Sequence, residues 1–318
     1  MTTLYPVELP GLRGHHPLGF LAACGLLRSC AGCPDWGPIK LAWTSSQGNG
    51  HFVAVLFAKT KLDIPTLTEV LNWQCEQTRK SPAFTWSSKM KIDDRKEYRK
   101  AARRLLDQER DSKSADTLRA FAALASDVVV NKGSLRSTML DLTSGNQRFL
   151  GSVLDLAGKP AKSNGKPDHL SEDAVREALI GPWRYRDDHH SLGWDPETQR
   201  LHALRHKLPE KDTRNRSVRA AVFLATQALP LFPCFAVGCS LYTTGFHRDD
   251  GEDWFSWPIW RDPISLDTFR SLLAHPFTAD LQRRGVELVY RCCRVRTGGT
   301  EGNYQVFSHA QQRPWPRA

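Results

Sequence analysis

The sequence lacks a hydrophobic run long enough to cross a bilayer. Its longest apolar run, Leu18 to Leu27, is about half of the roughly 20 residues that a membrane-spanning helix needs. No positively charged segment with a cleavage site precedes that run. We therefore expect a soluble, cytoplasmic protein with no membrane partner.

Motifs for nucleotide and metal chemistry are also missing. The glycines of "GLRGHHPLGFLAACGLL", residues 11–27, match neither the Walker spacing nor GxGxxG, and the sequence contains no HExxH. Two stretches rich in His and Asp, at 184–196 and 247–253, contain the ligand types of hydrolytic metal centres, but acidic turns and aspartate caps are the simpler explanation. We expect no cofactor and no metal, although a single CxxC, Cys30 with Cys33, leaves zinc open.

What the sequence does contain is positive charge. Its 44 Lys and Arg residues outnumber its 34 Asp and Glu residues, which gives a formal net charge of +10 at pH 7. Such an excess is typical of proteins that bind a polyanion, and it favours a nucleic-acid partner over a small neutral substrate.

The order of strand-like and helix-like segments predicts an α+β protein. The first part reads as a strand at 5–9, a helix at 17–28, strands at 39–44 and 52–57, a helix at 65–77 and a strand at 84–87. The later part reads as a strand at 200–206, a helix at 217–229, strands at 235–244 and 254–260, a helix at 265–274 and a strand at 286–296, with an extra strand at 304–308. Both have the order β-α-β-β-α-β.

This repeated order predicts two ferredoxin-like modules flanking a basic helical insertion. The N-terminal module covers residues 1–88 and the C-terminal module residues 181–318. Between them, residues 89–180 form the helical region, with helices at 114–130 and 147–157 and a flexible linker at 158–169 that is rich in Gly, Pro, Ser and Lys.

The helical region carries the strongest binding signal. Six cations recur at helical spacing on one face, namely Arg95, Lys96, Arg99, Lys100, Arg103 and Arg104. The apolar residues between them, Tyr98, Ala101, Ala102 and Leu105, predict a packed opposite face. A solvated helix face is the alternative, but no carboxylate interrupts the cationic stripe. We therefore predict that this face binds nucleic-acid phosphates.

A second basic run lies near the C-terminus. It consists of Arg283, Arg284, Arg291, Arg294 and Arg296, and we predict that it adds phosphate contacts from a different element. Five tryptophans have two alternative roles, stacking on unpaired bases or packing in the core: Trp183, Trp194, Trp254, Trp257 and Trp260.

The adjacent His15 and His16 are the candidates for catalysis. Imidazole titrates near neutral pH, and a loop ahead of a helix is a reachable position for general acid-base chemistry. The alternative is structural, with one ring in solvent and the other bonded to the turn. The sequence does not decide between these roles.

Six blocks spread over most of the chain resemble proteins of type I-G (formerly I-U) CRISPR loci, in a family labelled as an extension of the helicase-nuclease. They are "PGLRGHHPLGFLAACGLL" at 10–27, "LTSGNQRFL" at 142–150, "GPWRYRDDHHSLGWDP" at 181–196, "LPLFPCF" at 229–235, "TTGF" at 243–246 and "FSWPIW" at 255–260. The resemblance implies RNA-guided antiviral defence as a large-subunit-like or helicase-associated part of a Cascade-type effector, with guide RNA or target DNA and other effector subunits as partners. It supplies no catalytic residues.

Three functions therefore remain open at the level of sequence. The first is a non-catalytic nucleic-acid-binding subunit of a type I CRISPR effector. The second is a metal-independent guide-RNA-processing endonuclease that uses His15 or His16 together with the glycine-rich "RTGGTEG" at 296–302. The third is a structural adaptor to other effector subunits or to the helicase-nuclease, with the aromatic blocks as its interface.

Overall fold

The first sheet comes from the N-terminal part of the chain. A computed structural model describes residues 3–45, 51–86, 94–108, 112–131, 134–143, 148–160, 165–198, 216–297 and 304–316. Strands β1 (Tyr5–Arg13), β2 (Lys40–Ser45) and β3 (Phe52–Ala58) form an antiparallel sheet in the order β1-β3-β2, and helix α1 (Pro17–Ala31) connects β1 to β2. The strands and helix predicted for this segment are confirmed.

Helices follow the first sheet. They are α2 (Ile64–Lys80), α3 (Pro82–Thr85), α4 (Asp94–Gln108) and α5 (Ser112–Leu124). A hairpin of β4 (Ala125–Asn131) and β5 (Ser134–Ser137) comes next, and then α6 (Phe149–Leu156) and α7 (Glu172–Ile180). Helices thus occur in the middle of the chain, while the division into a helical region at 89–180 stays a prediction. Parts of that region, including part of the predicted linker 158–169, lie outside the described residues.

The second sheet comes from the C-terminal part. Helix α8 (Arg219–Gln227) precedes a hairpin of β6 (Cys234–Val237) and β7 (Ser240–Thr243), followed by β8 (Phe246–Asp249) and β9 (Glu252–Trp260). After β10 (Ile264–Ser265), α9 (Leu266–Ala274) and α10 (Asp280–Arg283), the chain forms β11 (Val286–Thr297), β12 (Tyr304–Phe307) and β13 (Gln311–Gln312). The sheet order is β12-β11-β9-β8, β13 pairs with β11, and β10 joins the first sheet beside β2.

Three predicted elements need correction. Residues 82–85 are helical rather than extended, because Ser81 caps the turn with its hydroxyl and Pro82 occupies the first helical position. The helix predicted at 114–130 ends at Leu124, since the β-branched run at 128–130 belongs to β4. The strand predicted at 235–244 is a hairpin, and the strand predicted at 200–206 lies outside the described residues.

The two ferredoxin-like modules are not confirmed. In the first sheet, β1 pairs with β3 as that fold requires, but α7 packs against β1, and no fourth strand lies beside it within the described residues. In the second sheet, β8 and β9 are joined by a tight turn at Asp250 and Gly251, which both have positive φ. The strands β8, β9, β11 and β12 therefore lie side by side in the order in which they occur in the chain. The coarser prediction, an α+β class with antiparallel sheets, is confirmed.

One hydrophobic core runs through the N-terminal, central and C-terminal segments. The ring of Phe20 in α1 stacks on Trp43 of β2 and on Trp257 of β9, at centroid distances of 6.0 and 5.6 Å. The indole of Trp257 donates to the carbonyl of Gly14 over 2.8 Å, so the two sheets are tied to the same turn. The domain boundaries at 88 and 180 stay a prediction.

Helix α1 lies at the centre of this core. Nearly all of its residues are buried, because the first sheet covers one side and α8 the other. A Cβ on Gly25 would lie 1.7 Å from the carbonyl oxygen of Leu224, so these helices approach through a glycine. Within the described residues, no helix is long and apolar enough to cross a membrane.

Candidate nucleic-acid interface

The inner face of α4 is held by aromatic contacts. Tyr98 is buried, its ring stacks on Phe121 of α5 at 4.4 Å, and the edge of Trp86 lies 5.5 Å away. Its hydroxyl lies 3.0 Å from the carbonyl oxygen of Phe121 and 2.8 Å from that of Ala125. The predicted packed face is confirmed, and it fixes the orientation of the helix.

The outer face of α4 carries the predicted cations. Four of them have exposed side chains, and we call these four the basic ridge: Arg99, Lys100, Arg103 and Arg104. Glu97 lies 3.9 Å from Lys100 at the margin of the ridge. The side chains of Arg95 and Lys96 lie outside the described part of the chain. The ridge offers a row of cations to a ligand that approaches from solvent.

The second basic run does not form one surface. Arg283 and Arg284 are exposed on and just after α10, where Arg284 is paired with Asp280 over 2.8 Å. Arg296 is exposed near the end of β11, on the sheet face opposite to Arg291. Arg283 and Arg284 therefore lie before the start of β11 and Arg296 near its end, so the run is spread along the strand and over both faces of the sheet.

Two arginines of this run support the sheet instead. Arg291 pairs with Asp249 over 3.0 Å and stacks its guanidinium 4.2 Å above the ring centre of Trp254. Arg294 opposes Phe307 across the ladder, and it donates to the side chain of Gln305. Burial lowers the pKa of Arg294 below its usual value. Both guanidinium groups already have partners.

His16 has a structural place. Its Nδ1 accepts a hydrogen bond from the backbone N–H of Gly19 over 3.3 Å, which caps the N-terminus of α1. Its Nε2 lies 3.3 Å from a carboxylate oxygen of Asp195, whose side chain is fully buried. The ring of Trp183 packs against the imidazole in a T-shaped arrangement, with the two ring centroids 5.2 Å apart. Nδ1 therefore belongs to the helix cap, while Nε2 lies near the buried carboxylate without a hydrogen-bond partner among the described residues.

His15 lies in a different environment. Its ring is 4.2 Å from that of His51 and 6.4 Å from that of Tyr290, between the turn and the second sheet. Burial, followed by the nearby His51, lowers the pKa of His15 to about 4, so the imidazole is neutral at pH 7. A neutral imidazole beside a phenol can accept a proton, so His15 stays a candidate for general acid-base chemistry.

Most of the predicted stacking tryptophans belong to the core. Trp194, Trp257 and Trp260 are buried, and each donates its indole N–H to a backbone carbonyl over 2.8 Å. The "FSWPIW" block therefore forms part of β9, and most of its side chains are buried. Trp183 and Trp254 are partly exposed, the latter beneath Arg291.

The cysteine pair shows no sign of a metal centre. Cys30 is fully buried, Cys33 is partly exposed, and burial raises the pKa of both thiols. Among the described residues no group of three or more His, Cys, Asp or Glu side chains is arranged to hold a metal ion. Most of the "RTGGTEG" loop lies outside the described residues.

The sequence analysis missed a pocket of about 650 Å³ among the helices, which we call the helix pocket. Its lining includes Arg28 of α1, Trp73 of α2, Arg119 of α5, Gln227 of α8 and Arg270 of α9. One signal was present in the sequence: Trp73, a large apolar residue, does not lie on the stripe of α2 that contains Leu67, Leu71 and Gln74 and that is buried in the structure. The other residues are far apart in the sequence, so only folding brings them together.

Comparisons with known proteins identified no relative. No family model matches the chain, no curated protein matches it significantly, and no solved structure has a significantly similar fold. The CRISPR resemblance of the six sequence blocks therefore stays an expectation.

Proposed function

We propose that this protein is a non-catalytic nucleic-acid-binding subunit of a type I CRISPR RNA-guided antiviral effector, and that the basic ridge binds a phosphate backbone. The observation that carries this proposal is the amphipathic placement of α4. Its apolar side is fixed by Tyr98 and Leu105, while four cations are exposed on its outer side. A row of cations on a helix of fixed orientation suits a regularly spaced polyanion.

The fixed orientation matters for affinity. Flexible lysines and arginines lose rotamer freedom when they bind, and a helix that already presents them on one side reduces the remaining ordering cost. In RNA-guided effectors the guide reads the sequence by base pairing, so the protein needs backbone contacts more than base contacts. The ridge can supply such contacts for guide RNA or for target DNA.

The effector assignment itself is supported by the six sequence blocks and by the net charge of +10. It implies that the protein works in the cytoplasm and assembles with other effector subunits or with the helicase-nuclease. Co-purification of the complete set of effector proteins with an affinity tag on this chain tests assembly. A chain that elutes alone from cells expressing all subunits contradicts it.

Fluorescence anisotropy with labelled duplex DNA and single-stranded RNA tests the ridge. The double variant Arg103→Glu with Arg104→Glu is expected to lose most of its affinity at 50 to 100 mM salt. Each lost phosphate contact lowers the salt slope by about 0.9 for duplex DNA, so the slope falls by roughly 2.

A control variant with the same change in charge is available. Lys61 and Arg176 are exposed and lie outside α4, so Lys61→Glu with Arg176→Glu changes the net charge equally and leaves the ridge intact. This control is expected to lose much less affinity than the ridge variant. Equal losses in both variants, or an unchanged ridge variant, contradict the assignment.

A second candidate function, a guide-RNA-processing endonuclease, is favoured by the contact of His15 with His51 and Tyr290. Incubation with CRISPR repeat RNA in EDTA tests it, since a metal-independent enzyme leaves a 2′,3′-cyclic phosphate. Cleavage is expected to disappear in His15→Ala. The variant His16→Ala is unsuitable for comparison with His15→Ala, because it also removes the cap of α1. Tyr290→Phe is more suitable, because it removes only the hydroxyl and keeps the ring beside His15.

A further inference from the structure

We propose that the helix pocket binds a nucleoside phosphate, either as a free nucleotide or as one unpaired nucleotide of a strand. Its residues do not overlap with the basic ridge, so this assignment does not rest on the proposed function. The pocket lies between the C-terminal parts of α1, α2 and α8 on one side and residues of α5 and α9 on the other. Its volume of about 650 Å³ is within the range of small-molecule sites.

The charge of the lining selects an anion. The lining contains four cations, Arg28, Lys80, Arg119 and Arg270, and one carboxylate, that of Asp116. Three of these cations pair with a carboxylate, Arg28 with Asp116, Lys80 with Glu76 and Arg270 with Asp267, so Arg119 supplies the uncompensated positive charge. Arg28 and Lys80 lie in the last turns of their helices, where cations also satisfy the helix dipole. Arg119 and Arg270 lie in no last turn, so that explanation does not apply to them.

Two of these arginines have unused donors. Arg28 bonds to Asp116 and Gln227 through its terminal nitrogens, and Arg270 bonds to Asp267 over 2.8 Å. In each, however, the Nε is buried and has no hydrogen-bond partner within the described residues. Neither Nε therefore has an internal hydrogen bond to lose if the guanidinium turns toward a phosphate oxygen, an acceptor suited to it.

Arg119 completes the cationic side of the pocket. Its side chain is exposed, and within the part of the chain that the structure describes no acidic or hydrogen-bonding partner contacts it. A guanidinium without an internal partner at the rim of a pocket is free to pair with a ligand phosphate.

An aromatic wall selects a planar ligand. Trp73 is 51% exposed, although it is among the largest apolar side chains of the chain, and it lines the pocket together with Phe84 and Pro82. Stacking of a nucleobase on an exposed indole is sequence-tolerant and contributes strongly to binding. A phosphate site next to an exposed indole matches the two halves of a nucleotide.

Polar side chains that are hydrogen-bonded to one another line part of the pocket. The amide nitrogen of Gln227 donates to the hydroxyl of Thr78 over 3.1 Å, and Arg28 donates to the backbone carbonyl of Gln227 over 3.0 Å. Gln74, directly after Trp73, and Gln77, one turn after it, add side-chain amides from α2. Amides carry both donors and acceptors, so they can bond to the edges of a base or to a ribose.

Isothermal titration calorimetry tests this assignment, with AMP, GMP, CMP and UMP, inorganic phosphate and a six-nucleotide oligo(dT) as the probes. Wild type is expected to bind at least one mononucleotide or the oligonucleotide, and more tightly than phosphate. Trp73→Ala is expected to weaken this binding by about 5-fold to 100-fold, from the usual strength of base stacking. Arg119→Ala is expected to weaken it at least several-fold.

Matched controls separate the pocket from unspecific effects. Phe235→Ala removes another aromatic ring, 46% exposed and outside the pocket, and Arg176→Ala removes another exposed arginine. Both are expected to bind as wild type does. Trp73 and Arg119 are surface residues, so melting temperatures of their variants are expected to stay close to wild type, which excludes misfolding as the cause.

The outcomes distinguish a free nucleotide from a nucleotide of a strand, and they separate the pocket proposal from the ridge proposal. Mononucleotide binding that depends on Trp73 supports a free nucleotide, and Trp73-dependent binding of the oligonucleotide alone supports an unpaired nucleotide of a strand. No binding of any probe, or binding unchanged in Trp73→Ala and Arg119→Ala, overturns the assignment. The ridge variant Arg103→Glu with Arg104→Glu is expected to keep mononucleotide binding. Failure of the ridge proposal would therefore leave the pocket proposal unaffected.

Discussion

At Gly25 two helices pass so closely that a hydrogen atom is the largest side chain that fits. The Cβ of an alanine there would lie 1.7 Å from the carbonyl oxygen of Leu224 and 2.8 Å from its carbon. We predict that Gly25→Ala lowers the free energy of unfolding by about 3 kcal/mol or more, because backbone atoms must move apart and core contacts are lost. Urea denaturation monitored by circular dichroism measures this loss.

The same helix supplies the control. Gly32 follows α1 with φ −80°, and the nearest atom to an added Cβ is 3.7 Å away. Gly32→Ala is therefore expected to change stability by less than about 0.5 kcal/mol. Equal losses in both variants would show that α1 and α8 do not approach each other as described.

His15 and His16 show how much a single residue depends on its surroundings. From the sequence, both residues were equal candidates for catalysis, because the two side chains are chemically identical. In the structure, the backbone N–H of Gly19 donates to Nδ1 of His16, and the Nε2 of His16 lies 3.3 Å from the carboxylate of Asp195. The ring of His15 instead contacts His51. Asp195 is about 180 residues away in sequence, so no local pattern could assign these roles.

At the scale of the element, α4 is the helix whose amphipathic pattern the sequence predicted best. Leu105 is 7% exposed and its neighbour Leu106 is 58% exposed. We predict that Leu105→Ala lowers the free energy of unfolding by about 2 to 3 kcal/mol, since it removes a packed side chain. Leu106→Ala is expected to change it by less than about 0.5 kcal/mol.

Hydrogen exchange by mass spectrometry adds a local readout for this pair. In Leu105→Ala, peptides covering α4 are expected to exchange faster, whereas in Leu106→Ala they exchange as in wild type. If both leucines prove equally important, α4 is not docked through Tyr98 and Leu105, and the placement of the basic ridge fails with it.

Element boundaries were predicted well where local chemistry decides them. Pro17 and Pro65 stand in the first turns of α1 and α2, and both helices start within one residue of the prediction. The prediction failed at residues 82–85, where Ser81 and Pro82 form a helix start in a stretch whose aromatic residues suggested a strand. It failed again after Leu124, because a helix pattern and a β-branched run overlap there.

The whole molecule has one core that joins segments far apart in sequence. Trp257 donates to Gly14 and Trp260 to Leu41, each over 2.8 Å, and α1 packs along α8. We predict that residues 1–180 expressed alone do not fold, because α1 would expose an apolar helix that α8 normally covers. The full chain is expected to unfold in a single calorimetric transition.

A soluble fragment 1–180 with a cooperative thermal transition of its own would contradict this prediction. A useful comparison is the mixture of fragments 1–180 and 181–318, expressed together. If the shared core drives folding, the two fragments are expected to co-purify as a complex and to regain the circular dichroism spectrum of the full chain.

The sequence alone determined the features that depend on local composition and period: the α+β class, the buried helix after the opening glycines, the amphipathic α4 and its cations. The tertiary structure decided the rest. Strand order, the separation of Arg291 and Arg294 from the other C-terminal arginines, the different environments of His15 and His16, and the helix pocket all depend on residues far apart in sequence. Periodicity reports which side of an element is buried, but the partner that buries it is chosen only when the whole core packs.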